Sequence, residues 1–391
     1  MMAIFRYIFL LILSLPLLGA IAVADPITPP TEPKATSSAA ASSSVIVATP
    51  ALQGEVDGRD GVLSDAFMWQ VFLEALEPVA AASPPKVEFE TWATDKTTFS
   101  ATPQWPGAAA PSFDTPCEPA HTPLVFDFPA NGCIVEVVKR NRPQFDYIVN
   151  NRLNTKQGLA AAFAKTGFTV DMPKQAVSIK AEWVPFSTLR TWIAGAASWT
   201  NDTIKGKYYT TNVGNMDYAL VAIHVSSKQN ANWVWATFEH SLNPGRCDYT
   251  GCFDSFGFKS KVQLPDLTTL NSQYPACPPS LDLLATTIPY NVPDVFIGNY
   301  CLKSTQTDYV DADQVPTVLT NTVIEGLMAK NSPTSSSCIT CHYYAAFGSD
   351  GLVNKAANAM PLGNPSGLPD PNILENLKQF DFMWGFRAAA Q

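Results

Sequence analysis

The run Cys338-Ile339-Thr340-Cys341-His342 brings two thiols and an imidazole together near the end of a 391-residue chain. Thiols at this spacing can add to the two vinyl groups of haem as thioethers. The imidazole beside the second thiol can then bind the iron as proximal ligand. Covalent anchoring lets a short, weakly structured segment hold the macrocycle, and the Ser/Thr/Pro-rich run 331–337 ahead of the motif is such a segment. The same spacing also suits a redox disulfide or half of a zinc site. The chain has no second Cys-x-x-Cys and no thioredoxin-like βαβ pattern around this one. The expectation is therefore one haem c, bound covalently through Cys338 and Cys341 with His342 on the iron.

What fills the sixth position decides the chemistry. A filled position favours electron transfer, and an open one admits small ligands or catalysis. Met360 precedes Pro361 and lies 18 residues beyond His342, shorter than is usual for a methionine ligand. His240 closes the run Trp233-Val234-Trp235-Ala236-Thr237-Phe238-Glu239 and is the other candidate. Met383 sits in an aromatic run that suits core packing, His224 lies mid-strand between Ile223 and Val225, and His121 lies in a Pro-rich loop expected to face solvent. Folding the hairpin around Gln229–Asn230 puts Leu220 near His240 and His224 near Trp235 or Ala236. The two imidazoles are then roughly 13 Å apart along the ladder, so at most one of them binds the iron. Glu239 or His224 could act as an acid–base group over an open iron, although Glu239 reads more simply as a solvated or ion-paired carboxylate.

These groups must be positioned by the elements before them. Residues 1–24 read as an export signal, with Arg6, the apolar core Ile8 to Leu18 and the cleavage site Ala22-Val23-Ala24. Pro16 and Gly19 shorten the apolar run below a comfortable span, so no stable membrane insertion is expected. Residues 25–64 form a Pro/Ser/Ala-rich tail that lacks the means to bury a core. Helical spacing begins at Ala66 to Leu73, and Glu88 to Phe99 forms a second ordered element. Pro143 to Leu153 reads as a helix with proline in its first turn, and Lys156 to Lys165 as its extension or as a helix that follows it. Ile134 to Val138, Val177 to Trp183, Lys207 to Thr211, Tyr218 to Val225 and Trp233 to His240 read as strands. In the last, Trp233, Trp235, Thr237 and Glu239 share one face, and Val234, Ala236, Phe238 and His240 the other. Leu319 to Met328 and Pro371 to Phe380 read as helices on either side of the motif. The fold class is α+β: an antiparallel-sheet domain over 65–305 and a small helical, haem-binding segment over 306–391, expected to pack on that domain.

Six cysteines remain beside the motif, an even number that suits disulfides in an exported chain. Many connectivities are open; pairing neighbours across Pro/Gly-rich loops gives Cys117–Cys133, Cys247–Cys252 and Cys277–Cys301. The net charge of −9 becomes −10 once Arg6 leaves with the signal. An acidic surface argues against nucleic acid and anionic membranes and suits a basic redox partner. There is no phosphate-cradling Gly-rich loop and no Ser-His-Asp arrangement.

The segments Trp69-Gln70-Val71-Phe72-Leu73, Glu90-Thr91-Trp92, Asn141 to Val149, Val177 to Trp183, Tyr208-Tyr209-Thr210, Trp233 to His240 and Phe380-Asp381-Phe382, with the single Cys338 to His342 site, carry a resemblance. Over about 69–386 the chain resembles the bacterial exported cytochrome c family proteins. The resemblance implies a haem protein and brings no established substrate. The expected function is single-electron transfer in the periplasm with a redox partner protein. The alternatives are a haem enzyme, peroxidase- or oxygenase-like, and a sensing or binding module with an open distal site.

Overall fold

Alternation of apolar and polar residues along the strands builds a seven-stranded antiparallel sheet in the order β1-β2-β3-β5-β6-β9, with β4 added on β5. The strands are β1 (Glu118–Pro119), β2 (Cys133–Arg140), β3 (Val177–Pro185), β4 (Thr210–Val213), β5 (Met216–Ser227), β6 (Val234–His240) and β9 (Tyr300–Gln306); β7 (Cys252–Phe253) and β8 (Lys259–Ser260) pair separately. The computed structural model describes residues 61–80, 82, 84–114, 117–119, 128–247, 251–255, 259–260, 292–325, 336–353 and 365–390. The expected signal and most of the tail, together with His121, Cys277 and Met360, lie outside the described residues. Residues 46–391 form one compact unit. Among the described residues no helix is long and apolar enough to cross a membrane.

One sheet face is apolar. Val135, Val137, Ile179, Ala181, Ile223, Val225, Ala236, Phe238 and Leu302 are buried on it, as period-two alternation requires. Helix α1 (Gly61–Ala75) covers it, apolar enough along its length to be buried rather than surface-lying. Phe72 stacks on Phe238 with ring centroids 3.8 Å apart, and Trp69 meets the same ring edge-on at 5.0 Å. Polar side-chain atoms within the helix are tied down: Thr305 Oγ1 donates to Asp65 Oδ1 (2.8 Å) and Trp69 Nε1 to Asp254 Oδ2 (3.1 Å).

Helix α2 (Asp95–Thr98) is a single turn, and α3 (Arg142–Asn150) starts where expected, with Pro143 in its first turn. Its cap is shared. Asn141 Oδ1 accepts from Gln144 N (3.3 Å) and from Val177 N (3.1 Å), fastening the helix start to β3. Helices α4 (Lys156–Ala164), α5 (Phe186–Trp192) and α6 (Asn201–Lys205) follow in chain order. Strand β4 begins at Thr210 rather than Lys207. The backbone N–H groups of Tyr208 and Tyr209 are taken by Ile204 O (2.8 Å) and Tyr300 Oη (3.0 Å), leaving no ladder bond for them to make.

The central hairpin has the expected faces but a shifted register. His224 stands opposite Thr237 and Ala222 opposite Glu239. Ser227 pairs with Val234, Lys228 N turns away to Ala176 O (3.0 Å), and Trp233 adopts a left-handed φ of 63°. The connection, 228–233, is thus centred one residue beyond Gln229–Asn230. His224 shares a face with Trp235, Thr237 and Glu239, and His240 points to the opposite one.

The second face is covered by chain from 307 onward, including α7 (Cys338–Tyr343) and the two-residue pair β10 (Ala346–Phe347) and β11 (Lys378–Gln379). The expected helix over Pro371 to Phe380 is instead a 3-10 turn, Pro371–Leu374, that leads into β11. Asp370 caps its start, and Asn376 (φ 62°) breaks it before a second turn can form. Of the expected helix from Leu319, only Ile324 and Glu325 are helical within the described residues, because Leu319 N bonds Ser336 O (2.9 Å) in an extended run. Two of the expected disulfides are present, Cys117–Cys133 and Cys247–Cys252. Cys301 is also disulfide-bonded.

Replacing Phe72 by alanine should cost about 3–5 kcal/mol of unfolding free energy in urea, since it empties a stacked site in a dense core. A loss under about 1 kcal/mol would mean that α1 is not docked on this face.

Candidate haem-binding site

Helix α7 is short, and neighbouring segments hold it in place. Ser337 caps it, accepting from Thr340 N (3.4 Å). Gln306, the last residue of β9, donates from Nε2 to Ser337 Oγ (2.8 Å) and accepts at Oε1 from Ile339 N (3.1 Å). Thr340 Oγ1 donates to Gly367 O (2.7 Å), and Trp384 Nε1 donates to Cys341 O (3.2 Å). Cys338, Cys341 and His342 are spaced i, i+3 and i+4, which puts them on one side of the helix. That side meets the second sheet face. The His342 ring lies 4.6 Å from the Trp235 ring, and Cys338 Sγ lies within 4.8 Å of ligating atoms of both His224 and Glu325.

The orientation of His342 is set by one bond, Nδ1 to Phe382 O at 2.6 Å. A carbonyl only accepts, so Nδ1 carries the proton and Nε2 keeps its lone pair. This is the tautomer an iron-ligating histidine needs, with its second nitrogen fixed by a backbone carbonyl. The carbonyl is presented by an unusual turn in which Asp381 (φ 52°) and Phe382 (φ 67°) are both left-handed. Two consecutive non-glycine residues in that region cost roughly 1–2 kcal/mol each. The Asp381 carboxylate holds the turn, accepting from Lys228 Nζ (2.6 Å), Trp233 Nε1 (3.2 Å) and Met172 N (2.7 Å).

Neither Cys338 nor Cys341 is disulfide-bonded. Burial, followed by the nearby Glu325 carboxylate, pushes the Cys338 thiol well above its usual range and the Cys341 thiol up to about 12. Burial also lowers His342 to about 4, keeping its imidazole neutral. Two thiols and a neutral, correctly protonated imidazole on one helix side fit the donor set of haem c.

The second sheet face holds a buried polar layer beside these thiols. Lys180 Nζ pairs with Glu136 Oε2 at 2.7 Å, and His224 Nε2 lies 3.4 Å from Glu325 Oε2. Burial lowers Lys180 less than Glu136 and Glu182 raise it, and the net shift is upward. Glu182 is fully buried, and desolvation with the neighbouring Glu136 charge raises it well above the usual carboxylate range. Burial alone would raise Glu325, but His224 outweighs it and holds Glu325 low. Further along the face Glu239 pairs with Lys303 (3.1 Å) and accepts from the Thr322 hydroxyl, while Asn321 Nδ2 donates to Thr237 Oγ1 (2.8 Å).

The candidate residues are not all brought together. Cys338, Cys341 and His342 converge on the second face. His240 does not. Its ring stacks on Tyr208 (3.7 Å), its Nε2 donates to Lys207 O (3.0 Å) and its Nδ1 accepts from Leu242 N (3.2 Å). Both ring nitrogens thus serve the backbone. Met383 packs as expected, its Sδ accepting from Gln144 Nε2 (2.9 Å). Glu239 is fully buried and ion-paired rather than solvated. Sequence reasoning passed over Lys180, Glu182, Gln306 and Glu325. The signal for two of them was present in β3, where Lys180 and Glu182 alternate with Ile179, Ala181 and Trp183. Compared with family models, with curated proteins and with solved structures, the chain finds no match.

Burial first, then the Arg246 and Lys207 charges, lower His240 to about 3. An unfolded histidine titrates near 6.5, so between these values the unfolded chain binds the extra proton and stability falls as pH falls. Between pH 7 and pH 4 this group should remove on the order of 3 kcal/mol. Urea midpoints of the wild type and His240→Gln at both pH values check this. Equal pH dependence in the two proteins would show that His240 is not held neutral.

Proposed function

We propose that this chain is an exported mono-haem c-type cytochrome that passes single electrons in the periplasm, of the kind represented by the bacterial exported cytochrome c family proteins. Cys338 and Cys341 hold one haem c, and His342 is the proximal ligand. The observation that carries this reading is the His342 Nδ1 bond to Phe382 O, which leaves Nε2 available on the helix side that bears the two thiols. The haem supplies one-electron exchange at its iron. The chain's own residues do the rest: Phe382 O fixes the imidazole, Trp235 backs it, and Gln306 and Ser337 hold the helix. Cys338, Ile339 and Thr340 are buried, whereas Cys341, His342, Tyr343 and Trp384 are partly exposed. One edge of the site thus reaches the surface, as electron exchange with a redox partner protein requires. Structural disulfides at Cys117–Cys133 and Cys247–Cys252 support an oxidising compartment.

A second reading has its own observation. His224 and Glu325 place acid–base groups beside Cys338, which favours a haem enzyme or sensing module with an open distal side.

Expression with export and c-type haem maturation should yield a coloured protein whose haem survives denaturation and acid–acetone extraction. The double variant Cys338→Ala/Cys341→Ala should fold but lose all covalent haem. A folded, colourless wild type would sink the proposal.

A further inference from the structure

Left-handed backbone favours glycine or asparagine, because other side chains are strained there. At position 381 (φ 52°) the chain instead has a buried aspartate, and its neighbours give the reason. Three donors converge on the carboxylate. Lys228 Nζ (2.6 Å) and Trp233 Nε1 (3.2 Å) meet Oδ1, and Met172 N (2.7 Å) meets Oδ2. Asparagine would turn an NH2 group toward one of these donors, and glycine would offer them no acceptor at all. Only a side chain that accepts on both oxygens fits.

The donors come from the central hairpin and from the chain just ahead of β3. Lys228 and Trp233 are the two ends of the connection 228–233, and Trp233 is itself left-handed (φ 63°). Trp233, Asp381 and Phe382, three strained residues, thus meet around one carboxylate. Strain of this kind persists only where the surroundings over-determine it, and it concentrates at functional positions. What the turn delivers is a single acceptor: Phe382 O, 2.6 Å from His342 Nδ1.

Resting on the reading that His342 binds the iron of haem c, we propose that Asp381 is a positioning residue for the proximal ligand. By holding the 381–382 turn it keeps the imidazole bonded at Nδ1 and so sets the potential of the haem. A hydrogen bond from that nitrogen raises the basicity of a ligating imidazole. A more basic axial ligand favours ferric iron, so the intact turn gives the lower potential.

The test uses the holoprotein, whose covalent haem is first confirmed by the pyridine haemochrome spectrum. Solvent exchange of the His342 Nδ1 proton, followed by NMR, and the reduction potential are measured in the wild type, Asp381→Ala and Asp381→Gly. Both substitutions remove the same charge and the same acceptor, but glycine relieves the backbone strain at 381 and alanine does not. Asp381→Ala should exchange this proton at least tenfold faster and raise the potential by about 59 mV, a tenfold shift in a one-electron equilibrium. Asp381→Gly should fall between alanine and wild type in both. Phe72→Ala, which destabilises the other sheet face, should keep the wild-type potential. Rapid exchange in the wild type, or wild-type values in Asp381→Ala, would overturn the assignment. So would equal values in the alanine and glycine variants, which charge alone would produce, or a potential shift in Phe72→Ala as large as that in Asp381→Ala. Where Asp381→Ala fails to fold, Trp233→Phe removes one of the three donors and decides in its place: faster exchange supports the assignment, and unchanged exchange overturns it. Absence of covalent haem from the wild type fails the cytochrome reading and the potential-setting role with it. Proton exchange in the haem-free chain then still decides whether Asp381 positions His342.

Discussion

A sheet with charged residues on a buried face is stable only if each charge finds a partner, and the architecture of this chain depends on that constraint. Desolvating an isolated carboxylate or ammonium costs several kcal/mol. The second face buries Glu182, Glu239 and Lys303, with Lys180 half-buried and its partner Glu136 open to solvent, and the chain meets the cost in two ways. Lys180 pairs with Glu136 and Lys303 with Glu239, while burial raises Glu182 and so favours its neutral form. The segment from 307 onward then adds neutral donors, with Asn321 on Thr237 and Thr322 on Glu239. The C-terminal part of the chain is thus the polar lid that makes the sheet's second face possible.

That arrangement also positions the attachment helix. Six residues are too few for a helix to persist unaided. Gln306 bridges the end of β9 to Ser337 and Ile339, so the helix start is an extension of the sheet's own hydrogen bonding. The helix's other end is held by Trp384 and by the strained Asp381-Phe382 turn that presents a carbonyl to His342. Strain at that turn is held by Lys228, Trp233 and Met172, residues remote in sequence that meet only once the sheet has formed. The proposed haem would therefore be fixed by groups drawn from both ends of the fold.

Legibility in the sequence followed how local each signal was. The strands, the capped helix at Asn141-Arg142-Pro143 and two neighbour disulfides depend on a few adjacent residues and were readable. The hairpin register was not, because Lys228 N bonds Ala176 O, just ahead of β3 and remote in sequence. His240 looked like a ligand because it ends an aromatic strand. Its role instead comes from Tyr208, Lys207 and Leu242, which spend both its nitrogens on the backbone. The burial of Glu182 in β3 was not legible, since one strand does not reveal that a second layer will cover it.

The sequence by itself determined the chemistry available: two thiols and an imidazole at haem-attachment spacing, and strands whose alternation defines two unlike faces. Those properties reside in residue type and short spacing. Tertiary structure alone decided which groups meet. Pleating and register turned His224 toward Cys338 and His240 away, since a shift of one position along a strand exchanges the faces. It also decided which atoms have partners, because burial makes every hydrogen bond exclusive, and a nitrogen already bonded to a backbone carbonyl has nothing left to offer a metal.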